Sequence, residues 1–274
     1  MLTVLVWMEF LGVAIALCIT PARLAGEQPF QTLNRWLQHW WVTNLMRALS
    51  AIFSLRVEVN GDDCLNPPPG LMLIRHSSLI DTLLPVLILS KQAIRFRYVL
   101  KHELLFDPCL DLVGCRLPNA FIKRQGNAET ELKMLSELAR TTEDNETVII
   151  YPEGTRFTAD RRAALLSRLR AKSSKRVELA ESLKHTLPPR PGGSLTLLNQ
   201  LQERSVVIVA HVGFEGAARI SDVFNGSLVG KRIAIQIWRI QPDELPRDDA
   251  DQREWLDQWW GRVDQWIDQQ LNQP

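Results

Sequence analysis

LMLIRHSSLIDTLLPVLILS, residues 71–90, carries the clearest architectural signal in the chain. Leu71–Arg75 is a short apolar run that ends in a cation. Asp81–Ser90 is apolar again, at helical length. A buried strand, a polar loop and a buried helix in that order are the start of an α/β unit. Five further short runs fit the same reading: Arg56–Asn60, Phe96–Leu100, Val148–Tyr151, Val206–Ala210 and Arg232–Ile237. They are rich in β-branched residues and bounded by turn formers such as Asn60-Gly61 and Pro67-Pro68-Pro69-Gly70. Glu129–Arg140 (ETELKMLSELAR) is an amphipathic helical segment between two of them. Strands alternating with helices predict an α/β domain.

Both ends of the chain differ from this middle. Residues 1–19, MLTVLVWMEFLGVAIALCI, carry one charge, Glu9, and are about long enough to span hydrocarbon as a helix. No basic stretch precedes them and no A-x-A-like site follows, so a cleaved signal peptide fits poorly. Glu9 in mid-segment is costly at a bilayer centre, which leaves a helix lying in one leaflet as the other option. From about Gln31 to Leu55, Leu33, Leu37, Leu45, Leu49 and Ile52 recur at helical spacing. Trp36, Trp40 and Trp41 sit among Arg35, His39 and Arg47, a composition suited either to the headgroup level or to packing on the protein's own core. The last helix, about Asp249–Leu271, carries Trp255 and Trp259 four apart, which predicts a core-facing stripe.

Composition narrows the function classes. The chain has 274 residues, 46% hydrophobic and 23% charged, with a formal net charge of +1. That excludes a disordered or collagenous chain and argues against a dedicated nucleic-acid binder. The near-neutral total hides an asymmetry. Asp160–Arg190 holds nine basic residues against three acids, and Gln241–Pro274 holds nine acids against three arginines. The basic stretch is either a solvated helix face or a surface for an anionic partner. Cys18, Cys64, Cys109 and Cys115 show neither disulfide spacing nor a metal-ligand pattern, and reduced thiols in a cytosol-facing protein fit them best.

Three clusters carry the candidate chemistry. His76 should stand at the carboxyl end of a strand, where α/β sheets bind ligands, with Asp81 in the first turns of the next helix. Within one regular helix a spacing of five would part the two side chains. With His76 ahead of the helix, the carboxylate can reach the imidazole, fix its tautomer and stabilise its charged form. By itself an H-x-x-x-x-D pair is a weak signal, and a lone histidine is more often structural. Next, Tyr151-Pro152-Glu153-Gly154-Thr155-Arg156 follows a buried strand. Its turn backbone and guanidinium suit a phosphate, although a Glu–Arg pair capping a turn has the same sequence. Lastly, Gly114–Arg124 (GCRLPNAFIKR) places Lys123 and Arg124 after a short strand, as an anion contact or a solvated turn.

Taken in order, H-x-x-x-x-D, FIKR and PEGTR resemble the glycerolipid acyltransferase family, which includes the 1-acylglycerol-3-phosphate acyltransferases. The resemblance covers roughly residues 56–215. His76 and Asp81 match the family's catalytic block. Gly114, Phe121, Ile122 and Arg124 match the second block, and Glu153, Gly154, Thr155 and Arg156 the third. Leu183–Gly193 (LKHTLPPRPGG) resembles a branch with a leucine-proline-arginine stretch. Two features depart from the pattern. Arg116-Leu117-Pro118 lengthens the second block, and Val206–Val209 lacks the fourth block's usual proline, which leaves the substrate open.

The resemblance implies a mixed, largely parallel central sheet flanked by helices, an α/β fold preceded by an N-terminal helical membrane anchor. The expected division is 1–55 anchor, 56–240 acyltransferase domain and 241–274 C-terminal helix. It implies acyl transfer from acyl-CoA or acyl carrier protein to a lysophospholipid, first of all 1-acylglycerol-3-phosphate. In that reaction His76 is the base and Asp81 orients it, and backbone N–H groups near the helix start hold the oxyanion. Lys123, Arg124 and Arg156 grip the acceptor phosphate, Glu153 orders that site or bonds the glycerol, and Gly154 and Thr155 complete it. No metal or organic cofactor is needed. The expected location is a membrane (the inner one in a bacterium), monotopic or single-span, with the site facing the cytoplasm. The alternatives are another lyso-lipid acceptor, a thioesterase, or a non-catalytic lipid-binding scaffold.

Overall fold

A computed structural model describes residues 2–102, 108–123, 127–172, 176–217, 222 and 225–272. Seven strands form one sheet: β1 Arg56–Asn60, β2 Leu71–Ile74, β3 Arg95–Lys101, β4 Ala120–Ile122, β5 Glu146–Ile150, β6 Val206–Val212 and β7 Arg232–Ile240. Their spatial order is β1-β7-β6-β2-β5-β3-β4. Every neighbouring pair is parallel except β6 with β7. The central strands β2, β5 and β6 are buried along their whole length, which is why Leu71–Ile74, Val148–Ile150 and Val206–Ala210 read as apolar runs, while Glu146, Thr147 and His211 are polar residues buried in the same strands. The expected mixed, largely parallel sheet is therefore what forms.

Helices cover both faces. On one lie α2 (Glu27–Phe53) and α3 (Leu84–Lys91), sharing a core with Met72, Ile74, Val207 and Ile235. On the other lie α5 (Ala128–Arg140), α8 (Pro191–Gln200) and α9 (Asp249–Leu271), around Leu71, Leu73, Val148 and Ile208. Adjacent residues of β2 thus feed opposite cores, as period-two side chains must. Between β5 and α8 run α6 (Ala159–Ala171) and α7 (Val177–Ser182).

Two periodicity readings shift. In α2 the buried row is Phe30, Asn34, Leu37, Val42, Leu45, Met46, Leu49 and Phe53, whereas Leu33, Trp36 and Ile52 face outward. In α9 the buried row is Gln252, Leu256, Trp260, Val263, Asp264 and Ile267. Trp255 and Trp259 flank that row, and Trp259 packs on Trp238 of β7 at 6.1 Å between ring centroids. Trp255 and Trp259 face the core as half-buried rings, and the row one residue further on buries more completely.

The amino-terminal helix α1 (Leu2–Ile19) lies along α2 and touches α4 (Pro108–Gly114). It is not a loose tether. Trp41 donates its indole N–H to the Met8 carbonyl at 3.1 Å. At the other end Arg116 donates to Ala16 O at 2.7 Å and to Thr20 Oγ1 at 2.9 Å, a cation set on a helix carboxyl terminus. Leu117 is buried beside Ala16, Phe30 and Leu37. The residues that lengthen the second sequence block thus fasten the carboxyl end of α1 to the body, and α2 holds the rest of it. The outward row of α1 is Val6, Trp7, Phe10, Leu11 and Leu17, all exposed. Thr3–Ala25 is long and apolar enough to cross a membrane.

Candidate active site

β2 ends at Ile74, and the chain turns through residues 75–79 into a 3-10 turn, Ile80–Leu83, before α3 begins. This turn brings the two sequence candidates together. His76 Nδ1 and Asp81 Oδ1 are 2.9 Å apart. The other carboxylate oxygen, Asp81 Oδ2, accepts the backbone N–H groups of Ser77 at 2.6 Å and Ser78 at 2.7 Å. Asp81 is fully buried, whereas the His76 side chain keeps 13% of its surface exposed, so only the imidazole can meet a substrate. Burial alone would raise the Asp81 carboxyl, but His76 beside it and the hydrogen bonds it accepts hold it well below the usual carboxylate range. It is an anion at any functional pH. With Nδ1 donating to that anion, Nε2 of a neutral His76 is left with a lone pair.

The PEGTR turn meets this loop because β2 and β5 are parallel neighbours, with Leu73 opposite Ile150. Phe157 N donates to His76 O at 2.7 Å, and the Tyr151 ring lies 4.6 Å from the imidazole. Glu153 is buried. Its Oε1 accepts the His76 N–H at 2.9 Å and its Oε2 the Leu187 N–H at 2.9 Å. Glu153 is thus a strut between the catalytic-block loop and the LPPR segment. It does not reach out to a glycerol, because both oxygens are engaged below the surface. Burial pushes its carboxyl up to about 8, with the two N–H groups partly offsetting the rise.

Gly154 sits at φ +65°, and a Cβ there would come within 2.9 Å of Arg190 Cδ. Gly154→Ala should cost about 1–2 kcal/mol from the left-handed backbone, before any displacement of Arg190. Chemical denaturation would measure it, and an unchanged midpoint would show that the turn relaxes. Thr155 and Arg156 follow, both half-buried, at the same rim of the sheet. Lys123 is exposed just past β4, and Arg124 lies outside the described residues.

Three groups in this site escape a reading by motif. His211, at the end of β6, is fully buried, with Nε2 3.1 Å from Arg75 O and 3.4 Å from Asp81 Oδ2. Arg75, also fully buried, donates to His211 O at 2.6 Å, Glu215 Oε1 at 2.8 Å and His185 O at 3.1 Å. Asp264 of α9 accepts the N–H groups of Lys184 and His185 at 2.9 and 2.7 Å. The signal for the first two was present: a histidine or arginine ending an otherwise apolar strand must find polar partners inside. The N–H groups of His76, Ser77 and Ser78 are already taken by Glu153 and Asp81, so these three cannot hold an oxyanion.

An apolar cleft of about 360 Å³ opens between α2, α3 and the β1–β7 edge, lined by Met46, Val57, Leu84, Leu87 and Ile88 among others. Leu84 lies three residues beyond Asp81. No group of three or more His, Cys, Asp or Glu residues is placed to hold a metal among the described residues.

The fold is similar to the crystal structure of the 1-acyl-sn-glycerophosphate (LPA) acyltransferase PlsC from Thermotoga maritima. The TM-score is 0.53 at 12% sequence identity, over 94% of this chain and 97% of that one. No curated protein matches the sequence. A family model described as Acyltransferase matches residues 56–211, from the first strand through β6 to His211. That span is more than half of the chain and contains the whole His76–Asp81 and PEGTR constellation, so the chain belongs to the acyltransferase family.

Proposed function

We propose that the protein moves a fatty acyl group from an acyl thioester, acyl-CoA or acyl carrier protein, to the free hydroxyl of a lysophospholipid. The preferred acceptor is 1-acylglycerol-3-phosphate and the product phosphatidic acid. The hydrogen bond between His76 Nδ1 and Asp81 carries this reading, because it leaves a partly exposed imidazole nitrogen as a base at the sheet rim. His76 removes the hydroxyl proton as the oxygen attacks the thioester carbonyl. The carbon–sulfur bond breaks, and the imidazolium returns its proton to the thiolate. Asp81 stabilises the imidazolium in between. The acceptor oxygen is the nucleophile, so no acyl-enzyme, metal or organic cofactor is invoked. Lys123, Arg124, Thr155 and Arg156 serve the acceptor phosphate, as guanidinium forks suit phosphate oxygens. Glu153 and Gly154 shape the turn that presents them. The apolar cleft beside Leu84 suits an acyl chain.

The membrane belongs to the same reading. α1 is apolar apart from Glu9 and packs on α2 along one side, and α2 carries His39 and Arg47, whereas its Arg35 turns to the buried Glu146 of β5. This pairing favours a hairpin seated in one leaflet on the cytoplasmic side. Trp7→Glu with Phe10→Glu places two charges on the outward row and should abolish sedimentation with anionic vesicles while leaving the circular dichroism spectrum unchanged. Full retention on vesicles would remove α1 from the membrane contact.

Purified protein, labelled acyl-CoA and a panel of lysophospholipids test the reaction. Esterification of 1-acylglycerol-3-phosphate above the other acceptors is the expected result. Preference for a different headgroup corrects the acceptor, and free fatty acid without ester makes the protein a thioesterase.

A further inference from the structure

A second cavity, of about 460 Å³, opens between α6, α7 and the 187–191 segment, with its inner end at Glu153 and Thr155. Four arginines line it: Arg161, Arg168, Arg176 and Arg190. Among its described lining residues the acid is Glu153, whose oxygens both face inward to backbone N–H groups. The cavity is therefore strongly cationic. Arg176 pairs with Asp257 at 2.7 Å, and Arg161 gives one N–H to Arg156 O at 3.0 Å. Arg168 is exposed in the last turn of α6. The floor is apolar, with Leu165, Leu169 and Pro188. Arginine planes above an apolar floor suit a flat base carrying phosphates.

Position separates two kinds of phosphate. α7 and residues 184–187 are fastened to α9 through Arg176–Asp257 and through Asp264. They belong to the layer on the α5–α8–α9 face, whereas α1 and α2 cover the opposite face. The arginine cavity thus shares the rim of the sheet with His76 but opens away from the apolar row of α1. A lipid acceptor seated on that row comes to the rim from the α1–α2 side, so its phosphate goes no further than Thr155 and Arg156 and leaves the outer arginines to another ligand. The water-soluble end of the donor remains.

We propose that this cavity binds the phosphates and purine of a nucleotide-borne acyl thioester, whose thioester end passes Thr155 toward His76. The inference rests on the acyl-transfer reading above. It also ties the LPPR segment to function, since Leu187 N on Glu153 and Arg190 N on Pro152 O (2.7 Å) hold one wall of the cavity to the PEGTR turn.

The test uses the full chain in two assays. Calorimetry with adenosine 3′,5′-bisphosphate measures binding directly, without turnover. Steady-state kinetics compare acyl-CoA, acyl-pantetheine (which lacks the nucleotide) and acyl carrier protein as donors. Arg168→Glu should weaken bisphosphate binding and raise the KM for acyl-CoA, each roughly ten-fold. The effect should vanish with acyl-pantetheine, and the acceptor KM should not move. Arg168→Ala, which adds no acid to the helix end, should shift the same two quantities by a smaller factor. A rise confined to the acceptor KM would assign the cavity to the lipid phosphate and overturn the proposal. So would failure of the wild type to bind the bisphosphate, or a response seen only with the carrier protein. Bisphosphate binding that Arg168→Glu weakens, together with no ester formed from any acceptor, would sink the transferase reading and leave the cavity standing.

Discussion

His76→Ala is expected to lower kcat for acyl transfer by about 10²–10⁴, the usual contribution of a general base. Its Kd for the acceptor and its attachment to vesicles should stay near wild type. The size follows from geometry. Nδ1 is committed to Asp81, so the one nitrogen able to take the hydroxyl proton is Nε2, and the imidazole is the exposed member of the pair. Alanine removes that acceptor and leaves bulk water to deprotonate an alcohol. The fold should tolerate the change, because the backbone N–H of residue 76 still donates to Glu153 and its carbonyl still accepts from Phe157. Single-turnover kinetics with saturating donor isolate the chemical step. Unchanged turnover would remove His76 from the reaction.

The second large effect is at Asp81. Asp81→Asn should reduce kcat by about 10³–10⁴, as when a base loses the carboxylate that fixes its tautomer. Unlike the change at His76, it should also destabilise the fold, by about 2–4 kcal/mol. The Asp81 carboxylate accepts from His76 on one oxygen and from Ser77 and Ser78 on the other. An amide offers one acceptor and turns its NH₂ toward groups that are themselves donors, in a site without solvent. The loss has a pH signature. In the folded chain the Asp81 carboxyl lies below its ordinary value of 3.8. Its contribution is present above that value and disappears as pH falls below it. The stability gap between wild type and Asp81→Asn should therefore be widest near neutrality and narrow toward acid, read by urea denaturation. A gap independent of pH would mean that the carboxylate's charge is not what stabilises the loop.

How much of this was readable beforehand differs from element to element. β2, β5 and β6 were legible because a strand buried on both faces carries a short apolar run of β-branched and aliphatic residues between turn formers, whereas the apolar runs of α1 and α3 are longer. α6, α7 and α8 were not, since a basic surface helix and a short proline-started one carry little apolar periodicity. At the site, the H-x-x-x-x-D spacing left open whether the two side chains diverge. The 3-10 turn at Ile80–Leu83 is what folds the carboxylate back to the imidazole. Glu153 shows the limit from the other side. Its place in PEGTR left ordering the site and bonding the glycerol both open, and burial with two backbone N–H partners makes it a strut.

The amino-acid order by itself determined the α/β class, the apolar amino terminus and the sheet edge at which His76 and PEGTR emerge, because period, hydropathy and turn residues act over a few neighbours. Long-range packing is what gathers His211 of β6, Arg75 just past β2, His185 ahead of the LPPR segment and Asp264 of α9 around that edge. It also decided that four arginines close on one cavity across the sheet from α1. These residues lie up to 189 positions apart (Arg75 to Asp264). What joins them is the demand of buried charges and N–H groups for partners, which chain folding satisfies and local sequence does not record.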